Sequence, residues 1–130
     1  MASAYRAYFN VKELDDRLLK TYVTESIIQE SSKYVEAFAL SLGVRASDIA
    51  TPTPYMVSRF AQLYAYMTAA QRQATFSKGG TADNDSFALK FNMYKQLLDS
   101  CEASLTAGTF TNGQTAKKRK FPMVMSLLRN

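Results

Sequence analysis

The strongest constraint on the fold is the spacing of apolar residues, which recur every three or four positions along three long segments. This spacing places them on one face of an α-helix, whereas a half-buried strand would show apolar residues at every second position. No segment within residues 10–108 alternates in that way. The pattern therefore predicts an all-α protein, a small bundle of about four helices with an extended C-terminal arm.

Capping and helix-breaking residues place the ends of the first two predicted helices. Asn10 and Glu13 have the spacing of a capping box, which predicts a short first helix. Thr24 or Ser26 is expected to cap the second helix. Gly43 is expected to end it, because glycine readily takes the left-handed conformation that closes a helix. The predicted apolar faces of these two helices contain Leu14, Leu18, Tyr22, Ile27, Ile28, Tyr34, Val35, Phe38 and Leu42.

The third and fourth predicted helices follow a linker that contains two prolines. Thr53 is expected to cap the third helix, with Pro54 at its first position. A polar loop with two adjacent glycines ends that helix, and one of residues 83–85 is expected to cap the fourth. Gly108 is expected to end the fourth helix. The predicted apolar faces contain Val57, Phe60, Ala61, Tyr64, Met67, Ala74, Phe87, Phe91, Tyr94, Leu98, Cys101 and Leu105.

The charges divide the chain into two parts. The sequence has 16 Lys and Arg against 11 Asp and Glu, which gives a net charge of +5. Residues 114–130 hold 5 of the basic residues and no acid, so the remaining 11 basic and 11 acidic residues cancel. The sequence therefore predicts a neutral helical domain, residues 1–108, and a basic and apolar arm, residues 109–130.

The composition argues against most catalytic and metal chemistry. The chain has no histidine, which removes the commonest general base and metal ligand, and Cys101 therefore has no histidine partner. Cys101 is expected to be a core residue. The first ten residues lack the pattern of a signal peptide, and no window approaches a membrane span of about 18 apolar residues. We expect no enzyme activity, no cofactor, no metal and no membrane partner.

The segment from residue 117 joins a run of four cations to an apolar stretch. Disordered tails are usually poor in large apolar residues, so these are expected to be buried against something. One interpretation is a docking arm. Another is a small helical nucleic-acid-binding protein that uses the cations, and a third is an adaptor for cellular partners. The residues expected in the arm are Lys117, Lys118, Arg119, Lys120, Phe121, Val124, Leu127 and Leu128.

Four stretches together resemble the head–tail connector adaptor proteins of tailed bacteriophages. The first is "VKELDDRLLK", followed by the longer "ESIIQESSKYVEAFALSLGV". After the proline linker come "PYMVSRFAQLYAYMTAAQRQA" and "FALKFNMYKQLLDSCEASLTAGTF". The last stretch has the family's order of a tyrosine, two turns of apolar helix, a glycine and an extended arm. The basic run and the apolar tip match no motif of the family.

This resemblance implies a structural role in the virion neck. Such adaptors form a homo-oligomeric ring, often of twelve copies, below the portal protein. The ring extends the DNA channel and presents a surface to the stopper or tail-completion protein. The arm is then expected to reach the portal, with DNA in the channel as a second target for the cations. Contacts between ring neighbours are expected on partly apolar helix surfaces around Tyr22, Tyr55, Arg59 and Tyr66.

Overall fold

The computed structural model describes residues 5–76 and 82–112, and the fold below refers to these residues. They contain four α-helices and no strand, which confirms the predicted all-α class. The segment predicted as a docking arm from Lys117 to Leu128 lies outside them. The helices are α1, Glu25–Ser41; α2, Tyr55–Phe76; α3, Ala82–Ser104; and α4, Ala107–Thr111.

Helix α2 is the centre of the bundle and packs against α1, α3 and α4. Small residues make this possible, because Ala61, Ala65 and Ala69 are fully or almost fully buried and let neighbouring helices approach closely. On the α1 side, the hydroxyl of buried Ser31 donates to the carbonyl of Ala61 at 2.9 Å. The aromatic core at this interface includes Phe60, whose ring lies 5.6 Å from that of Tyr34 and 5.1 Å from that of Phe38.

Two predicted helix boundaries of α1 are confirmed. The side chain of Thr24 accepts from the backbone N–H of Ile27 at 3.3 Å, so Thr24 is the N-cap. Gly43 has a φ of +87°, the left-handed conformation expected just after the helix. The local signals at both ends were therefore sufficient to place this helix.

The predicted first helix is wrong, because residues 11–22 form two short 3-10 turns, Val11–Glu13 and Lys20–Tyr22, joined by an irregular segment that ends in a turn. The capping box of Asn10 and Glu13 is present, but it opens only the turn Val11–Glu13. Beyond Leu14, the backbone N–H groups of Asp15 and Asp16 donate to the hydroxyl of Tyr66. Backbone N–H groups that donate to a distant side chain are not available for the hydrogen bonds of a helix.

Two predicted caps of later helices are also wrong. Helix α2 begins at Tyr55, and the N–H of Ser58 donates to the carbonyl of Pro54, so Pro54 occupies the cap position predicted for Thr53. The hydroxyl of Thr53 instead accepts from Arg6 at 2.9 Å. Helix α3 already begins at Ala82, so residues 83–85 lie within its first turn and do not cap it.

The predicted boundary between the domain and the arm falls too early. Helix α3 ends at Ser104, and Gly108 lies inside α4, whose capping box is formed by Thr106 and Thr109. Phe110 on α4 has no exposed surface, and its carbonyl accepts from the N–H of Ala50 at 2.8 Å. The folded domain therefore extends past residue 108 and includes α4.

Candidate interaction surfaces

A groove of about 780 Å³ lies between the N-terminal segment and the first half of α2. Pro52 and Thr53 of the proline linker also line it. About two turns of α2 form one wall, because residues spaced by three or four positions share a helix face. The groove is lined by Ala7, Tyr8, Phe9, Asn10, Glu13, Asp15, Pro52, Thr53, Tyr55, Ser58, Arg59 and Gln62.

Arg6 fixes the N-terminal segment to the proline linker. Its guanidinium donates to the carbonyls of Ile49 and Ala50 at 3.0 and 2.6 Å, as well as to Thr53. The same group lies 4.6 Å from the ring centre of Tyr8. A planar guanidinium can serve all these acceptors at once, since it carries five N–H donors in a fixed fork. Arg6 therefore holds the N-terminal wall of the groove to the proline linker.

Tyr8 connects the N-terminal wall of the groove to α1. Its hydroxyl donates to the carboxylate of Glu36 at 2.7 Å, and its side chain is almost completely buried. Burial and then this hydrogen bond raise the pKa of Tyr8 well above its usual value. The phenol therefore stays a neutral donor over the physiological range.

The groove carries two carboxylates and one guanidinium. The carboxylate of Glu13 accepts from the hydroxyl of Ser58 at 3.2 Å and from the amide of Gln62 at 3.4 Å. Among the residues that the structure describes, none of the salt bridges involves Glu13, Asp15 or Arg59. The three charges sum to −1 and are not neutralised by ion pairs within the described domain.

The structure brings together two of the four residues predicted at the contact between ring neighbours. Tyr55 and Arg59 both line the groove, and Tyr55 is 75% exposed. Tyr22 lies elsewhere, partly exposed, with its ring edge against Phe87 at a centroid distance of 5.5 Å. Whether these residues contact a neighbour remains a prediction.

The prediction for the fourth residue, Tyr66, is wrong. Its side chain is fully buried and has no surface that could contact a neighbour. Its hydroxyl accepts from the N–H groups of Asp15 and Asp16 at 2.7 and 3.0 Å. It also donates to a carboxylate oxygen of Asp15 at 2.9 Å. These bonds use the one donor and both acceptor positions of a hydroxyl. Tyr66 is therefore a structural link between α2 and the N-terminal segment.

Asp16 extends this link to α3. Its carboxylate is buried and accepts from the ammonium of Lys90 and the N–H of Leu19, each at 2.9 Å, and from the hydroxyl of Tyr94. Burial by itself raises the pKa of Asp16, but the hydrogen bonds from Lys90, Tyr94 and Leu19 outweigh it, so the pKa is lowered. A carboxylate that is held ionised by fixed donors serves as a structural clamp.

Helix α3 exposes a second apolar stripe, which the sequence analysis did not identify. Leu89 is 71% exposed, and Met93 and Leu97 are each 42% exposed. They are spaced by four residues, so they share one helix face, which points away from the core face of Phe87, Tyr94 and Leu98. The signal was present in the sequence as a second set of residues at helical spacing. Exposed uncharged polar residues flank the stripe, namely Asn92, Gln96 and Ser100.

Within residues 5–76 and 82–112, no three His, Cys, Asp or Glu side chains are grouped so that they could hold a metal ion. None of the helices in these ranges combines the length and apolarity that crossing a membrane requires. Comparisons of the chain with protein-family models, with curated proteins and with solved structures give no match.

Proposed function

We propose that the protein is a structural adaptor of a tailed-bacteriophage virion. It forms a homo-oligomeric ring in the neck, joins the portal protein to the stopper or tail-completion protein, and extends the DNA channel. The phage assignment rests on the resemblance of the four sequence stretches. The observation that carries the assembly part of the proposal is the exposed apolar face of α3, formed by Leu89, Met93 and Leu97.

The position of a second exposed surface supports a ring. A closed ring of more than two copies needs two different surfaces on each copy, because its contacts are head-to-tail. The face of α3 and the groove rim around Tyr55 lie on different helices, and both leave large apolar side chains exposed. Each copy could therefore offer one surface to each neighbour.

The size of the α3 face predicts that a single contact is weak. From Leu89 to Ser100 the helix rises by about 17 Å, which is short for a stable protein–protein interface. Isolated copies are therefore expected to associate weakly. In a ring, each copy makes two contacts, and docking on a partner ring raises the effective concentration of the copies.

Leu97→Glu is expected to weaken self-association of the full chain by at least about tenfold, because placing a carboxylate in an apolar contact costs more than about 1.4 kcal/mol. Sedimentation velocity over a range of concentrations measures the effect. The matched control is Leu40→Glu, the same change at a 61% exposed leucine on α1. Equal association of the two variants would contradict the role of the α3 face.

The phage assignment has its own test. Portal and capsid genes are expected upstream of the gene for this protein. Electron microscopy of that portal protein mixed with the full chain should show an added ring of density, and a portal that stays bare would overturn the assignment.

The alternative nucleic-acid-binding function predicts instead DNA affinity that falls with salt, with a log–log slope of about −0.9 for each phosphate contacted by Lys117–Lys120.

A further inference from the structure

The described chain ends close to the groove. The N–H of Ala50 donates to the carbonyl of Phe110 at 2.8 Å, and Pro52 in the groove wall is two residues from Ala50. Asn112, the last described residue, is two residues from Phe110. A step of two residues covers at most about 7 Å, so Asn112 lies within about 20 Å of Pro52.

The next part of the sequence is long enough to cover this distance. Residues 113–120 can span up to about 26 Å when extended. The cations at 117–120 therefore fall within reach of the groove of the same chain. A partner chain is not needed to bring them there.

The chemistry of the groove fits this segment. Glu13 and Asp15 supply carboxylates without an ion-pair partner in the described domain, whereas residues 114–130 carry 5 basic residues and no acid. The rim also offers apolar surface, because Pro52 and Tyr55 are exposed. Phe121 follows the cations directly in the sequence. One segment thus provides both cations for the groove carboxylates and an apolar side chain for the rim.

We infer that the groove holds residues 113–130 of the same chain, with the basic run of Lys117–Lys120 against Glu13 and Asp15 and with Phe121 against the rim at Tyr55. The contact is intramolecular and involves no other protein. Its regulatory meaning rests on the proposed function: a segment bound in its own groove covers the rim at Tyr55 and is withheld from the portal until docking displaces it, which then leaves the rim free for a ring neighbour. The groove contact itself can be tested on the isolated protein.

Tyr55→Trp provides the reporter, because the sequence contains no tryptophan and Tyr55 is exposed at the groove. In the full chain, its emission should be blue-shifted and protected from acrylamide quenching. Both effects should be lost when Lys117→Glu, Lys118→Glu, Arg119→Glu and Lys120→Glu are combined. They should also be lost in about 1 M salt, where the Debye length is about 3 Å. Leu89→Trp on α3, outside the groove lining, is the matched control and should not respond.

A second pair of variants tests the groove side of the contact. Glu13→Gln together with Asp15→Asn removes both charges but keeps the oxygen atoms that accept hydrogen bonds from Asn10 and Tyr66. This pair should expose the reporter at residue 55 as the charge reversal does. A reporter at 55 that is quenched equally in the full and charge-reversed chains would overturn the inference. Protection that grows with protein concentration would also overturn it, because the segment would then occupy a neighbouring copy.

Discussion

Asp16→Ala is expected to lower the free energy of unfolding by about 3 kcal/mol, because it removes the acceptor of a buried network. The N–H of Leu19, the hydroxyl of Tyr94 and the ammonium of Lys90 all donate to this carboxylate. Lys90 is about one-third exposed and can be rehydrated, which keeps the loss below that of a fully buried ion pair. Urea unfolding followed by circular dichroism measures the change.

Asp16→Asn isolates the effect of the charge, since the asparagine side chain keeps the size of aspartate and one acceptor oxygen. The folded-state pKa of Asp16 lies below its ordinary value of 3.8. The ionised carboxylate therefore contributes stability that is fully present above the unfolded-state pKa and is lost as the pH falls through the folded-state pKa. The wild-type chain should be more stable than Asp16→Asn near neutral pH, and the difference should shrink below about pH 4. A difference that stays constant down to about pH 2.5 would contradict the clamp.

Apolar spacing predicted the existence of the three long helices correctly, because it acts within a few residues, but capping signals placed both ends of α1 alone. The same signals failed where a distant side chain competes for the backbone. The hydroxyl of Tyr66 lies some 50 positions from the N–H groups that it binds at Asp15 and Asp16. Helical spacing placed Tyr66 on an apolar helix surface but gave no means of distinguishing a surface position from a core position.

Helix α3 shows a second limit of helical spacing as a predictor. Its sequence contains one apolar stripe through Tyr94 and another through Met93, and both have helical spacing. The predicted face through Tyr94 is the one that packs in the core, and the face through Met93 is left exposed. Spacing alone predicts that a helix has an apolar face, but it does not say which of two such faces meets a partner.

The groove could not have been predicted, because its walls come from segments far apart in the sequence. Glu13 meets Ser58 and Gln62 across 45 and 49 positions. Arg6, which holds the wall to the linker, belongs to no motif and has no helical spacing to mark it. The sequence did indicate Tyr55 and Arg59 as surface candidates, and the structure places both at this groove.

Phe110→Ala is expected to lower the free energy of unfolding by about 3–4 kcal/mol, because Phe110 is fully buried and its loss leaves a cavity. Its ring lies 6.2 Å from that of Phe38 on α1, so the substitution also removes a contact between α4 and α1. Tyr55→Ala is the matched control, an aromatic truncation at an exposed site, and should change stability by less than about 0.5 kcal/mol. Thermal and urea unfolding measure both variants.

Truncations at two positions extend this prediction to the domain boundary. A chain that ends at Gly108 loses Phe110 together with the hydrogen bond from Ala50, and it should unfold at markedly lower urea concentration than the full chain. A chain that ends at Asn112 keeps both contacts, so it should retain a stable helical domain. If the two truncated chains were equally stable, α4 would not be part of the folded unit, and residue 108 would be restored as its end. If both failed to fold, the residues after 112 would themselves be required for the core, and the groove contact inferred above would be a structural element and not a reversible one.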